Sequence, residues 1–217
     1  MRKSALLFTI VLLAACATAR KSTPVDQNEP RRVVGTDNDV RIDAEVYGDQ
    51  LGSSVTLPLK YDITNSRQAT IAIADLVPET NYDEETRTVT VSIGSEVPGA
   101  TLLPHLISIK PGEKKSFSTV ARVNIMLPPG TPAVRIPRAL RLKVNFLSAI
   151  TQFEQLITMT ETGLYDPKLA DELFPKWLER NETVYTNALP MPWASAPPEQ
   201  QNTPAATART PGYDRSG

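Results

Sequence analysis

Between residues 39 and 148, apolar side chains recur at every second position. The clearest run spans residues 55–63, in which Val55, Leu57, Leu59, Tyr61 and Ile63 alternate with residues such as Thr56 and Lys60. A period of two is typical of a strand that buries one face, so this pattern predicts about seven short strands. Pro58 lacks a backbone donor and predicts an edge position or a bulge there. The other alternating residues are Val40, Ile42, Ala44 and Val46; Ile71 and Ile73; Val89, Val91 and Ile93; Ile107 and Ile109; Phe117, Thr119, Ala121, Val123, Ile125 and Leu127; and Leu140, Leu142, Val144 and Phe146.

Turn signals separate these strands. Asn65-Ser66 and Pro111-Gly112 are turn pairs, and Pro111-Gly112 leads into a strand that opens with Phe117. Residues 107–117 resemble the corner before the penultimate strand of immunoglobulin-like and fibronectin III-like domains. The resemblance implies a mainly β chain with an immunoglobulin-like antiparallel β-sandwich over residues 37–148. A jelly roll or a small barrel would have a similar number of strands. Because the likeness is one of pattern alone, it assigns no functional residue.

The period changes after Phe146. Phe146, Ile150, Phe153 and Ile157 are spaced four, three and four apart, as on one face of a helix.

A second helix is expected further along. Asp166-Pro167 combines an N-cap residue with a favoured first helical residue, and Pro175 is expected to kink or restart that helix. Residues 183–189 are expected to be extended. The pattern therefore predicts a helical and extended extension over residues 149–193 that covers one edge or end of the sandwich. Residues 194–217 are rich in Pro, Ala, Thr and Gln, which predicts a disordered tail.

The first residues have the features of a targeting signal. Arg2 and Lys3 precede an uncharged apolar segment, residues 5–15, that is shorter than the roughly 20 residues a membrane-spanning helix needs. The motif Leu13-Ala14-Ala15-Cys16 follows and contains the only cysteine of the chain. It resembles the lipobox of bacterial lipoproteins, which implies a signal peptide over residues 1–15, cleavage before Cys16 and lipidation of its sulfur. An ordinary secretory signal is the alternative.

The lipoprotein resemblance also suggests a location. Ala17 stands where an Asp would favour retention in an inner membrane, so we expect a lipid-anchored protein of the bacterial cell envelope, in the outer membrane and facing the periplasm. Residues 16–36 are polar and lack an apolar period, which predicts a flexible tether.

Composition limits the partners. The chain has 23 basic and 24 acidic residues, and two of the basic residues precede Cys16, which leaves a formal charge of about −3 on the mature part. A nucleic-acid-binding protein would be expected to carry a strongly basic patch, so no nucleic-acid partner is predicted.

Candidate chemistry is sparse. His105 is the only histidine, and the sequence contains no Gly-x-Ser-x-Gly elbow, Walker loop or dinucleotide fingerprint. We therefore predict neither an enzyme nor a bound cofactor. Acidic residues on two predicted loops are weak calcium candidates, although their spacing matches no calcium-loop template: Asp37, Asp39, Asp83 and Glu85.

A possible partner face combines basic and aromatic residues. Arg141 and Lys143 alternate with buried positions and should point outward near Arg138, and Trp177 and Trp193 could serve as aromatic anchors. The favoured function is a non-enzymatic envelope module that binds a protein partner or supports assembly at the membrane. The alternatives are an envelope hydrolase and a protease-inhibitor-like protein that presents the loop Val97-Pro98-Gly99-Ala100.

Overall fold

The molecule is mainly β, and a computed structural model describes it over residues 29–194. The predicted leader, Cys16, most of the tether and nearly all of the tail lie outside the described residues. The strands are β1 (Arg31–Asp37), β2 (Val40–Val46), β3 (Ser54–Asn65), β4 (Ile71–Ala74), β5 (Glu79–Asp83), β6 (Thr88–Ile93), β7 (Leu102–Pro104), β8 (Leu106–Ile109), β9 (Lys114–Asn124), β10 (Ala139–Leu147), β11 (Gly163–Tyr165), β12 (Asn181–Tyr185) and β13 (Leu189–Pro190). The helices are α1 (Glu154–Thr158) and α2 (Pro167–Arg180), with 3-10 turns at Ala133–Arg135 and Ile150–Phe153.

The first sheet is antiparallel, with the order β1-β2-β3-β9. The alternation predicted for β3 is confirmed, because Leu57, Leu59 and Ile63 are buried while Pro58 and Lys60 are exposed. The edge position or bulge predicted at Pro58 is wrong, because β3 lies between β2 and β9 and its pairing with β9 continues unbroken through Pro58 and Val120. Pro58 lies one residue beyond the last pair with β2, and its carbonyl accepts from the Tyr47 N–H at 3.0 Å.

The second sheet is mixed. Its order is β5-β6-β10-β4-β8, and β10 also pairs with β12 and β13, which lie off this path. The strands β6 and β10 run parallel, with Val91 beside Leu142. This pairing departs from the predicted purely antiparallel arrangement. The chain between β6 and β10 passes through β9 of the other sheet and returns in the same direction, as a parallel pair requires.

The inner faces of the two sheets share one hydrophobic core. Ile42 and Leu59 of the first sheet belong to the same buried cluster as Val91 and Leu142 of the second. A second cluster lies between the outer side of the second sheet and the helices, where Leu173 and Trp177 pack with Ala72 and Leu147. All four residues of β4 are buried because it belongs to both clusters, and a strand covered on both faces has a continuous apolar sequence.

The predicted tether extends too far. The sequence predicts that it continues to residue 36, but residues 31–36 form most of β1, which pairs with β2 from Arg31 to Asp37. The two strands are joined by Asn38 and Asp39, with φ angles of 48° and 55°. Positive φ at both central residues is what a two-residue hairpin turn requires, and Asn and Asp tolerate it.

Helix α2 starts where the sequence predicts. The Asp166 side chain accepts a hydrogen bond from the Leu169 N–H at 3.0 Å, and Pro167 takes the first helical position. The helix does not restart at Pro175, since it runs unbroken to Arg180. Pro175 has no N–H to donate to the Asp171 carbonyl one turn earlier. Both residues are exposed, so water can donate to that carbonyl instead.

Candidate functional site

The predicted partner face divides into three places. Arg141 and Lys143 lie together on the outer side of β10, and Arg138 precedes that strand, exposed, with its N–H bonded to the Arg87 carbonyl at 3.0 Å. The two tryptophans lie elsewhere. Trp193 is half-buried against the first core and forms an isolated parallel β-bridge with Leu51.

Trp177 is not a surface anchor, and its assignment to the partner face is wrong. Its side chain is fully buried in the second cluster, where it makes an edge contact with Phe153. The indole N–H donates to the Ser95 carbonyl at 3.1 Å, which satisfies its one polar group. The i, i+4, i+8 spacing of Leu169, Leu173 and Trp177 is therefore the buried stripe of α2.

Tyr185 completes the surface formed by Arg141 and Lys143, and we call these three residues the cationic patch. Tyr185 lies opposite Lys143 across the β10–β12 ladder and is 45% exposed. The Arg141 guanidinium carbon is 4.7 Å from the centre of the tyrosine ring, and the Lys143 ammonium is 5.9 Å from it. Both distances are within the range of cation–π attraction.

Hydrogen bonds fix the two cations differently. Arg141 Nε donates to Thr90 Oγ1 at 3.0 Å on the neighbouring strand, which orients the guanidinium along the sheet. Lys143 forms an ion pair with Glu96, on the loop that follows β6. Within the described part of the chain, Arg141 has no carboxylate at ion-pair distance. It is therefore the cation of the patch that is available to an acidic group.

A close approach between the sheets holds Tyr185 in place. A Cβ atom on Gly35 of β1 would lie 2.2 Å from the Tyr185 carbonyl oxygen, so only glycine fits. Next to it, the Val34 N–H donates to Asn187 Oδ1 and the Asn187 N–H donates to the Val34 carbonyl, both at 2.8 Å. The edge of β1 is thus joined to the segment that follows β12.

A second polar surface, the charged groove, lies on the outer face of the first sheet. It encloses about 550 Å³ and is lined by Arg32, Asp43, Glu45, Lys60, Asp62 and Lys114. Its charges largely pair with one another, since Lys114 contacts Asp62 at 2.6 Å and Arg32 contacts Glu45 at 3.0 Å. Hydrogen bonds from Lys114 and from Ser116 hold the pKa of Asp62 below its usual range. Because these charges compensate one another, the groove is a weaker candidate than the cationic patch for an acidic partner.

The calcium candidates have local structural roles. Asp83 accepts hydrogen bonds from the Thr86 hydroxyl at 2.7 Å and from the Glu85 N–H at 3.0 Å, and these bonds lower its pKa. Asp37 is the last residue of β1 and accepts from the Asn38 N–H at 2.9 Å, and Asp39 is the second residue of the β1–β2 turn. Across residues 29–194, no group of three or more acidic, histidine or cysteine side chains is arranged to hold a metal ion.

The remaining sequence candidates are separate from the cationic patch. His105 lies between β7 and β8, where its backbone bonds Thr162 and Asp75. The loop Val97-Pro98-Gly99-Ala100 lies beside α2 and lines an apolar groove of about 630 Å³ with Ala170 and Phe174.

None of the helices in the described segment is both long and apolar enough to cross a bilayer.

Sequence reasoning missed Tyr185. The sequence predicts that residues 183–189 are extended, but the pattern of apolar positions does not show that this segment pairs with β10. The available signal was an aromatic residue in a polar, extended segment, which is a common feature of binding surfaces.

Comparison of the chain with protein-family models, with curated proteins and with solved structures found no match. The motif at Cys16 and the surfaces described above are therefore the features from which a function can be inferred.

Proposed function

We propose that the protein is a bacterial envelope lipoprotein, anchored through Cys16, whose β-sheet body is a non-enzymatic module that binds a protein partner. The cationic patch is the observation that carries the proposal. Its exposed tyrosine is within cation–π range of two cations, and Tyr and Arg are enriched among the residues that dominate interface energies. Arg141 lacks a carboxylate partner among residues 29–194, which favours an acidic group on the protein bound.

The proposed anchor places this surface near a membrane. Residues 17–30 can extend over at most about 50 Å, which limits how far β1 can lie from a lipid on Cys16. The two sheets with one shared core support an immunoglobulin-like sandwich as the fold, and the parallel β6–β10 pair is where this chain departs from the expected pattern. The outer membrane, facing the periplasm, remains the proposed location.

The anchor is tested by Cys16→Ser in a bacterial host. We expect the native chain to incorporate labelled palmitate and to fractionate with membranes, and the variant to lose both properties. Two or more acyl chains hold a protein firmly on a bilayer, whereas a free polar terminus does not. A native chain that is soluble and unlabelled would contradict the anchor while leaving the binding surface open to separate study.

The cationic patch is tested by placing a photo-crosslinking phenylalanine analogue at Tyr185 in the anchored protein. We expect a discrete crosslinked protein whose yield falls about tenfold in the Arg141→Glu, Lys143→Glu double variant, because charge reversal weakens an acidic partner. Lys168→Glu, on the exposed side of α2, is the matched control and should leave the yield unchanged. Equal yields from the double variant and the control would contradict the proposed face.

A further inference from the structure

The loop between β6 and β7, residues 94–101, brings Glu96 to the cationic patch. The Glu96 carboxylate pairs with the Lys143 ammonium. The Lys143 side chain is only 16% exposed, whereas that of Glu96 is 54% exposed, so the glutamate lies nearer to solvent than the lysine it covers. Among residues 29–194, no other cation lies at ion-pair distance from Glu96.

Two contacts hold the start of this loop. Gly94 has a φ of 72°, and a Cβ atom on it would lie 2.5 Å from the carbonyl oxygen of Asn145 in β10, so glycine is required there. The Ser95 carbonyl accepts the Trp177 indole N–H at 3.1 Å. The two residues before Glu96 are therefore fixed, and the fold itself sets where this carboxylate lies.

Glu96 can leave Lys143 at small cost. Residues 96–100 form no backbone–backbone hydrogen bond with other parts of the described chain, so the movement breaks no ladder. The glutamate side chain is more than half exposed, and ion pairs of this kind contribute little to stability. A carboxylate supplied by another protein can therefore replace Glu96 beside Lys143.

We propose that Glu96 is an internal competitor for the cationic patch: its carboxylate occupies the position beside Lys143 that an acidic group of the partner takes on binding. This inference rests on the proposed function, in which the patch binds an acidic group. While Glu96 is in place, Arg141 is the cation of the patch that lacks a carboxylate partner among the described residues. Once Glu96 is displaced, both cations face the partner.

The first test is Glu96→Gln in the anchored full-length protein with the photo-crosslinking residue at position 185. We expect the yield of the crosslinked partner to rise about fivefold, because glutamine is close in shape to glutamate but neither pairs with Lys143 as an anion nor repels an acidic partner. An unchanged yield would overturn the proposal and leave the proposed function standing.

Glu79→Gln is the matched control. Glu79 is exposed and lies opposite Ser92, which lies opposite Lys143, so it belongs to the same row of the second sheet, two strands away. Two strand spacings are about 10 Å, a distance over which salt screens most of the interaction between exposed charges. The control should leave the yield nearly unchanged. An equal rise in both variants would overturn the proposal in favour of a general effect of charge.

A double-mutant cycle tests whether Glu96 acts through Lys143. In a Lys143→Met background, Glu96→Gln should leave the crosslinking yield unchanged, because no ammonium remains for the carboxylate to cover. A rise as large as in the native background would overturn the proposal.

Acylation of Lys143 needs no partner, so it distinguishes failure of this inference from failure of the proposed function. Glu96→Gln should speed acylation of Lys143 by a lysine-specific reagent about threefold relative to Glu79→Gln, as read by mass spectrometry. Equal rates would show that Glu96 does not cover the lysine and would overturn the inference. Faster acylation without a crosslinked protein in any variant would contradict the proposed function, and the competition inferred from it would fall with it.

Discussion

Replacing Trp177 with alanine is expected to lower the free energy of unfolding by about 3–5 kcal/mol, the usual cost of removing a large aromatic side chain from a core. The indole is fully buried, contacts the Phe153 ring edge-on with 5.6 Å between ring centres, and donates its N–H to the Ser95 carbonyl. Its loss would leave a cavity between α2 and the outer side of the second sheet. Urea unfolding followed by far-ultraviolet circular dichroism measures the change.

Phe174→Ala is the matched control on the same helix. Phe174 is 45% exposed, so its truncation should cost well under half as much. If Trp177→Ala were as mild as Phe174→Ala, the second cluster would not depend on packing of the indole, which would contradict the prediction.

The Trp177 variant should also alter the cationic patch. The indole bonds the carbonyl of Ser95, and the next residue, Glu96, forms the ion pair with Lys143. Removing the indole releases this loop, so the ion pair should weaken and Lys143 should become more accessible. Faster acylation of Lys143 by a lysine-specific reagent, read by mass spectrometry, would report this release.

The pattern of apolar positions predicts which face of a strand is buried, but it does not identify the neighbouring strand. The alternation in β3 and β9 was therefore read correctly, whereas the parallel pairing of β6 with β10 depends on the path of the chain between them. β1 was missed because Val33-Val34 interrupts a clean alternation and Gly35 has no side chain. Gly35 fits there because the Tyr185 carbonyl approaches it closely, which is a tertiary requirement.

The candidate site was predicted in part for the same reason. Arg141 and Lys143 were identified because they alternate with buried leucines and valine on one strand. Tyr185 was missed because its contact with them crosses two strands that are far apart in sequence. Trp177 was misassigned because one spacing describes both a buried helical stripe and an exposed one, and only the packing partner distinguishes them.

Arg67 joins three separate parts of the molecule. Its Nε donates to the Asn38 carbonyl at 2.6 Å, its two terminal nitrogens donate to the Glu182 carboxylate, and its guanidinium carbon lies 5.1 Å from the centre of the Phe146 ring. Only 19% of its side chain is exposed, and 28% of that of Glu182. This pair therefore differs from an ordinary surface ion pair, which contributes little.

Arg67→Ala is expected to lower the free energy of unfolding by about 2 kcal/mol near neutral pH, since it removes charge-assisted hydrogen bonds from a half-buried carboxylate. The Arg32→Ala variant is the matched control. Arg32 is 77% exposed and pairs with Glu45 at 3.0 Å, so its loss should cost about 0.5 kcal/mol or less.

The difference between the native protein and Arg67→Ala should depend on pH in a defined direction. Hydrogen bonding to Arg67 holds the pKa of Glu182 below its usual range, so the folded state releases this proton more readily than the unfolded chain. The stabilisation is then fully present above the unfolded pKa of about 4.3 and is lost as pH falls through the lower, folded value. Urea titrations from pH 7 downward should show the free energies of unfolding of the two proteins converging in acid. A difference that stayed constant with pH would mean that packing on Phe146, and not the ion pair, accounts for the effect.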